Sequence, residues 1–309
     1  MPLNHRGNLR LPHGSQNRHL PNTQIIGNVV TRLLHLHTPE QCHQFRAQCA
    51  HQTLALVPTM GALHEGHMTL IDSALAVADQ VIVSIFVNPT QFGPHEDFDT
   101  YPRTLGQDIT QLEQRGVHAI FTPTVETLYP GALDDQTQVL PRKMRTYLCG
   151  HSRPHFFQGV STVVLKLLNC CQPDQIFFGE KDYQQLAMIR QLIQDFFIPT
   201  VVHSVPTVRM DNGLALSSRN QYLSETALMI APQLFKTLST MATALQQHTS
   251  PESLIKTHTH QLQTLGFEVD YLSVCDPITL THITSTAPHG IILVAAWLEG
   301  TRLIDNLMY

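Results

Sequence analysis

Two histidines three residues apart, His64 and His67, sit in the stretch Gly61-Ala62-Leu63-His64-Glu65-Gly66-His67. Two imidazoles beside a helix N-terminus can donate to phosphate oxygens, and that donation strengthens as negative charge builds in a transition state. The turn lacks the Lys-Ser/Thr ending of a Walker loop. It is not a zincin helix either, because its histidines are three apart rather than four on a settled helix. Two further stretches carry charged or hydroxyl side chains. Gly179-Glu180-Lys181-Asp182-Tyr183-Gln184-Gln185 places a Lys and an Asp at a strand-to-helix turn, with Gln185 one turn further on. Leu216-Ser217-Ser218-Arg219-Asn220 offers two hydroxyls and a guanidinium, a set that suits a triphosphate.

These residues need strands and turns to hold them. Leu54-Ala55-Leu56-Val57 is an apolar run of the kind that forms a buried parallel strand, and Pro58 is expected to stop its ladder. Gly61 and Gly66 let the chain turn, and a helix is expected from about Glu65, with Met68, Ile71, Leu75 and Ala78 on one stripe. Strand, glycine turn and helix in that order expose unpaired helical N–H groups to an anion.

The same alternation runs through most of the chain. Thr38-Pro39-Glu40-Gln41 reads as a capping box opening a helix to about Ala50. Strands are expected at 80–87, 119–121, 175–178 and 200–203, and helices at 105–114, 160–169 and 183–195. This pattern predicts a Rossmann-like, doubly wound parallel sheet, an α/β fold whose ligands sit at strand carboxyl ends. Asn88-Pro89-Thr90-Gln91-Phe92-Gly93 is a third polar loop at such an end. After about Val208 the pattern changes to a polar loop, helices near 225–247 and after Ser250-Pro251, and three closing strands at 268–275, 290–297 and 301–306. The expected organisation is a leader at 1–30, a Rossmann-like domain at 31–207 and a smaller C-terminal α+β lid domain at 208–309.

Composition excludes several classes. The 309 residues carry a net charge of −5 with only 14% charged side chains, and no Lys/Arg block suggests a nucleic-acid surface. No run reaches the length of a membrane span. Six cysteines without a CxxC pair read as reduced thiols in a cytoplasmic protein. Met1–Gln24 has three arginines, no acid and no apolar periodicity, and reads as a disordered tail outside the fold.

Taken in order, PTMGALHEGH at 58–67, SIFVNPTQFG at 84–93, YPRT at 101–104, TVVLKLL at 162–168, FGEKDYQQL at 178–186, VPTVR at 205–209, LSSRN at 216–220 and TRLIDN at 301–306 resemble the pantothenate synthetase (pantoate–β-alanine ligase) family of the nucleotidylyltransferase superfamily. The resemblance spans roughly 33–306. It implies an ATP-dependent joining of pantoate to β-alanine through pantoyl adenylate, with ATP as substrate, Mg²⁺ beside it, and a homodimer as the assembly. By the same resemblance, ATP would be met by Met60, Gly61, Ala62, Leu63, His64, Glu65, Gly66 and His67. Gly179, Glu180, Lys181, Asp182, Val208, Leu216, Ser217, Ser218 and Arg219 would complete that site. His67, His64, Lys181, Ser217, Ser218 and Arg219 would serve catalysis, with His67 as proton donor. Gln91, Gln185 and Asn88 would hold pantoate, Gln91 would also meet β-alanine, and Asp108 would support the metal.

Three positions depart from the family pattern. Leu216 stands where Met is usual, Gln107-Asp108 where two acids are frequent, and Phe156 where a histidine is usual, with His155 one residue earlier. Two other classes fit parts of the sequence: a metal-dependent hydrolase built on His64, Glu65 and His67, and a nucleotide binder that has lost its chemistry.

Overall fold

Short apolar runs separated by helices give the first sheet of the computed structural model, which describes residues 33–94 and 96–309; the arginine-bearing leader lies outside the described residues. The first half comprises β1 (Leu34–Leu36), α1 (Pro39–Gln48), β2 (Leu54–Thr59), α2 (Glu65–Leu75), β3 (Gln80–Ile85), α3 (Leu105–Gln114) and β4 (Ala119–Phe121). Two single turns, α4 (Val125–Leu128) and α5 (Cys149–Ser152), precede α6 (Phe156–Cys171), β5 (Gln175–Gly179), α7 (Tyr183–Asp195) and β6 (Val201–Val205).

The six strands are parallel, in the order β1-β4-β3-β2-β5-β6. From β2 the chain winds outward to β3 and β4, then returns to lay β5 on the other side of β2. The crevice between β2 and β5 is therefore the switch point, where an open α/β sheet receives its ligand. β2 buries both faces: Leu54 and Leu56 join the core under α6 and α7, Ala55 and Val57 the core under α2. Its alternation is hidden because neither face meets water.

Three elements differ from the sequence reading. β1 is absent from the expected strands, because three residues on a sheet edge carry too little periodicity to announce one. Pro58 does not end β2: it pairs in register with Ser84 of β3, while pairing with β5 stops at Leu56. A strand can carry a proline where no neighbour asks for its N–H. The helix expected at 160–169 begins four residues earlier at Phe156.

The C-terminal half comprises α8 (Glu225–Ile230), α9 (Gln233–Gln246), α10 (Pro251–Thr264) and a three-stranded antiparallel sheet of β7 (Glu268–Cys275), β8 (Ile291–Leu298) and β9 (Thr301–Met308). The helix expected across 225–247 is two helices, with Pro232 at the junction. Leu234, Leu238 and Met241 of α9 pack with Val274, Ile292 and Val294 of the sheet as a second core.

Candidate active site

A cavity of about 700 Å³ opens at the carboxyl ends of β2, β3 and β5 and is closed on its far side by β9 and the Leu216–Asn220 loop. Its floor is the turn after β2. Ala62 adopts a left-handed φ of 51°, and the turn is held from behind by Asp108 of α3. The Asp108 carboxylate, 1% exposed, accepts the N–H groups of Ala62 (3.1 Å) and Leu63 (2.9 Å) and the Thr104 hydroxyl (3.2 Å).

His64 caps α2 with its side chain. Its Nδ1 accepts the Gly66 N–H at 3.1 Å, and the His67 Nδ1 accepts the His64 N–H at 3.3 Å. The two rings lie 4.1 Å apart, centroid to centroid. Gly66 is required here by contact: a Cβ at this position would stand 2.9 Å from His64 Cε1. The helix N-terminus is therefore not an open amide nest. The N–H groups of Ala62, Leu63, His64, Gly66 and His67 all have partners within the protein. What faces the cavity instead is imidazole. With each Nδ1 accepting, the proton of each neutral ring sits on Nε2.

Neutral rings are what the surroundings favour. Burial, the neighbouring His64 and the Lys181 ammonium hold the His67 imidazolium form down to about 3; burial and Lys181 lower His64 as well. His67 is half-buried and lines the cavity.

The second wall comes from the turn after β3. Asn88, 1% exposed, donates to Gln91 Oε1 (3.1 Å) and the Gly159 carbonyl (3.3 Å), and accepts from the Tyr129 and Thr90 hydroxyls, both at 3.0 Å. Gln91 also donates to Met60 Sδ at 2.8 Å. Asn88 thus has its polar atoms engaged and positions Gln91. From the turn after β5 come Gly179, Lys181, Asp182 and, at the start of α7, Gln185. Lys181 lies 3.7 Å from the Asp182 carboxylate, and Asn306 of β9 grips the turn by donating to the carbonyls of Glu180 (2.8 Å) and Lys181 (3.0 Å).

Val208, Leu216, Ser217, Ser218 and Arg219 form the wall from the C-terminal side. Ser217 caps a 3₁₀ turn by accepting the Arg219 N–H at 3.3 Å. The Arg219 guanidinium is held by both oxygens of Asp97, at 2.7 and 3.0 Å, and Ser218 meets the Tyr101 hydroxyl at 3.3 Å.

Most of the expected residues therefore converge on one cavity. Gly61, Ala62, Leu63, Glu65, Glu180 and Asp108 do not line it. Glu65 is exposed and faces Arg115 at 3.6 Å, so it is turned away from the two histidines it would join in a metal-dependent hydrolase. Among the described residues no three His, Cys, Asp or Glu side chains are grouped to hold a metal ion. Asp108, read from the sequence as metal support, instead braces the His-bearing turn from behind. Gln107 does not line the cavity, and neither does His155, which is exposed.

Sequence reasoning missed Glu96, Asp97, Tyr101, Arg153, Trp297 and Arg302, all on the cavity wall. The acid run Glu96-Asp97-Phe98-Asp99 was the available signal for the partners of Arg153 and Arg219. Phe156 lines the cavity too, with the Arg153 guanidinium 4.0 Å over its ring.

A switch-point crevice, a His-x-Gly-His turn at the central strand and a Lys and an Arg across the same cavity define a nucleotidylyltransferase-type α/β enzyme. Residues 28–308 match the family model described as pantoate-beta-alanine ligase. The pantothenate synthetase of Shewanella loihica is 46% identical over 260 residues, covering 84% of this chain and 92% of its own length. That of Pseudomonas aeruginosa is 47% identical over 263 residues, covering 85% and 93%. The crystal structure of the Thermus thermophilus pantothenate synthetase superposes with a TM-score of 0.83 at 39% identity, covering 89% of this chain and 99% of its own. The Francisella tularensis pantoate-beta-alanine ligase, solved with beta-gamma ATP and beta-alanine, gives 0.76 at 36%, covering 89% and 97%. The chain belongs to the pantoate–β-alanine ligase family, within the nucleotidylyltransferase superfamily. The activity that goes with membership is the ATP-dependent condensation of pantoate with β-alanine to pantothenate, AMP and pyrophosphate.

Proposed function

We propose that this cavity runs the condensation in two steps through pantoyl adenylate. In the first, a pantoate carboxylate oxygen bonds to the α-phosphorus of ATP as the bond to pyrophosphate breaks. In the second, the β-alanine amine attacks the acyl carbon, AMP leaves with the electron pair of the broken C–O bond, and the amine loses a proton.

The observation that carries this reading is the pair of neutral, Nε2-protonated imidazoles of His64 and His67 on the same cavity as Lys181 and Arg219. A carboxylate approaching a triphosphate is repelled by its charge, so the site must align and neutralise rather than supply a nucleophile. His64 and His67 suit hydrogen-bond donation to the α-phosphate. His67 suits that donation through its neutral Nε2–H, its protonated form being held down to about 3 by burial, His64 and Lys181. Lys181, Ser217, Ser218 and Arg219 serve the β- and γ-phosphates and the departing pyrophosphate. Met60, Gly66, Gly179, Asp182, Val208 and Leu216 contact the nucleotide. Gly61, Ala62, Leu63, Glu65 and Glu180 shape the two turns from outside the cavity.

Gln91 and Gln185 bind pantoate through hydroxyl and carboxylate, with Asn88 as positioning residue, and Gln91 remains within reach of β-alanine. An analogue lacking the hydroxyl leaves those amides unpaired. Mg²⁺ would travel with ATP, held by phosphate oxygens and water, as that ion prefers; with Asp108 engaged by the turn, no residue step passes through it. Residues 208–309 act as a lid, a role supported by cavity walls drawn from both sheets. The homodimer and the cytoplasmic setting follow the family reading, and six buried free thiols suit a reducing compartment. Among the described residues no helix is long and apolar enough to cross a membrane.

The test is exchange of labelled pyrophosphate into ATP without β-alanine. Exchange that requires pantoate supports the two-step reading. Synthesis of pantothenate by enzyme that never exchanges pyrophosphate contradicts it.

A further inference from the structure

The amino-acid substrate brings a carboxylate that takes no part in bond making, and a buried carboxylate needs a cation. Among the described residues three arginines line the cavity: Arg153, Arg219 and Arg302. Arg153 is clasped by both oxygens of Glu96, each at 2.5 Å, and Arg219 by both oxygens of Asp97. Arg302 differs. A single carboxylate oxygen, Asp270 Oδ2, accepts from its Nη2 at 2.7 Å, and that oxygen is shared with the Ser152 hydroxyl at 2.9 Å. The Cys149 sulfur lies 3.4 Å from the same Nη2. Arg302 Nε is buried and has no hydrogen-bond partner.

A buried donor left unmade is costly, most of all on a charged group. Arg302 also walls a small side cavity together with Lys181, Asp182 and Gln185, where the pantoate glutamine meets the phosphate-binding lysine. An amine attacking the acyl carbon at that junction carries its carboxylate two methylenes away, a short reach within the walls that Arg302 helps to form. We propose that Arg302 is the carboxylate receptor for the amino-acid substrate, the part of its guanidinium that Asp270 does not engage making a charge-assisted hydrogen bond to that carboxylate. This rests on the adenylate reading above.

The consequence is selectivity for an amine that bears a carboxylate, because β-alaninamide would leave the guanidinium unanswered. The experiment compares β-alanine with β-alaninamide in the unaltered enzyme, Arg302→Met and Arg302→Lys, alongside pantoate-dependent pyrophosphate exchange. The unaltered enzyme is expected to prefer β-alanine by roughly 10–100-fold in kcat/KM, the range for a hydrogen bond to a charged group. Arg302→Met should lose that preference through a higher KM for β-alanine, with exchange kept within about threefold. Arg302→Lys keeps a cation for Asp270 but lacks the guanidinium's further donors, so it should show the raised KM even if the Met variant fails to fold.

Equal use of β-alanine and β-alaninamide by the unaltered enzyme overturns the inference without any variant. So does a preference that survives in both variants, or a loss of exchange that matches the loss of synthesis. Absence of exchange in the unaltered enzyme overturns the adenylate step itself, a failure distinct from lost amide discrimination.

Discussion

Gly159 of α6 rests directly on the backbone of Thr90: a Cβ at this position would stand 2.2 Å from the Thr90 carbonyl oxygen and 2.8 Å from the Gln91 nitrogen. The helix and the turn that carries Gln91 therefore touch backbone to backbone, and the Asn88 amide closes the contact on the Gly159 carbonyl. Alanine would gain about 0.5–1 kcal/mol of helix propensity, but overpacking against a backbone that cannot swing aside costs about 1–3 kcal/mol or more. Gly159→Ala should lower the unfolding midpoint and raise KM for pantoate by displacing Gln91. Unchanged stability and KM would refute the contact.

His67→Ala removes the proposed donor to the reacting phosphate and also the acceptor of the His64 N–H. By comparison with losing one transition-state donor, kcat should fall roughly 10²–10³-fold. KM for pantoate should change little, since the proposed pantoate contacts are Gln91 and Gln185. A fall of less than about tenfold in steady-state turnover would remove His67 from the chemistry.

The same imidazole sets a pH dependence of stability. With its folded-state pKa lowered from 6.5 to about 3, His67 binds a proton in the unfolded chain before it does so in the fold. Stability from this group is complete above about 6.5 and is lost as pH falls through the window toward 3. The slope is at most about 1.4 kcal/mol per pH unit, reduced by the opening of the ring to the cavity. Denaturation at pH 7.5 and 5.5 should show a smaller acid loss in His67→Asn than in the unaltered enzyme. Parallel losses would contradict the assignment.

Asp108 gives a prediction of a different kind. Asp108→Ala leaves the N–H groups of Ala62 and Leu63 facing an apolar side chain, at about 1–3 kcal/mol for each donor that water cannot reach. Urea unfolding should register the loss, and turnover should fall because the His-bearing turn is released. Asp108→Asn, which keeps an acceptor, should leave the Mg²⁺ dependence of the rate unchanged. A marked rise in the Mg²⁺ requirement would restore Asp108 as metal support.

Much of this was legible in the chain. The strand, turn and helix around His64, the polar loops after β3 and β5, and the parallel sheet follow from apolar runs and punctuation that any parallel α/β fold must show. Less was legible wherever a residue acts on a distant neighbour. Asp108 reads by resemblance as metal support until the fold brings it behind Ala62, 46 positions earlier. Asp97 meets Arg219 across 122 positions, and Arg302 meets Asp270 across 32. No local period encodes such pairs. The helix N-terminus misled in the opposite way. Spacing offers its amides to an anion, whereas the fold turns two imidazoles back onto them and presents ring nitrogens instead.

The central claim is that pantoate's own carboxylate oxygen becomes bonded to the α-phosphorus. Pantoate labelled with ¹⁸O in its carboxylate, carried through a full turnover with ATP and β-alanine, tests it most directly. One labelled oxygen should appear in AMP, and none in pyrophosphate. Unlabelled AMP, or label in a phosphate derived from the β- or γ-position, would contradict attack at the α-phosphorus and, with it, the roles given to His64 and His67.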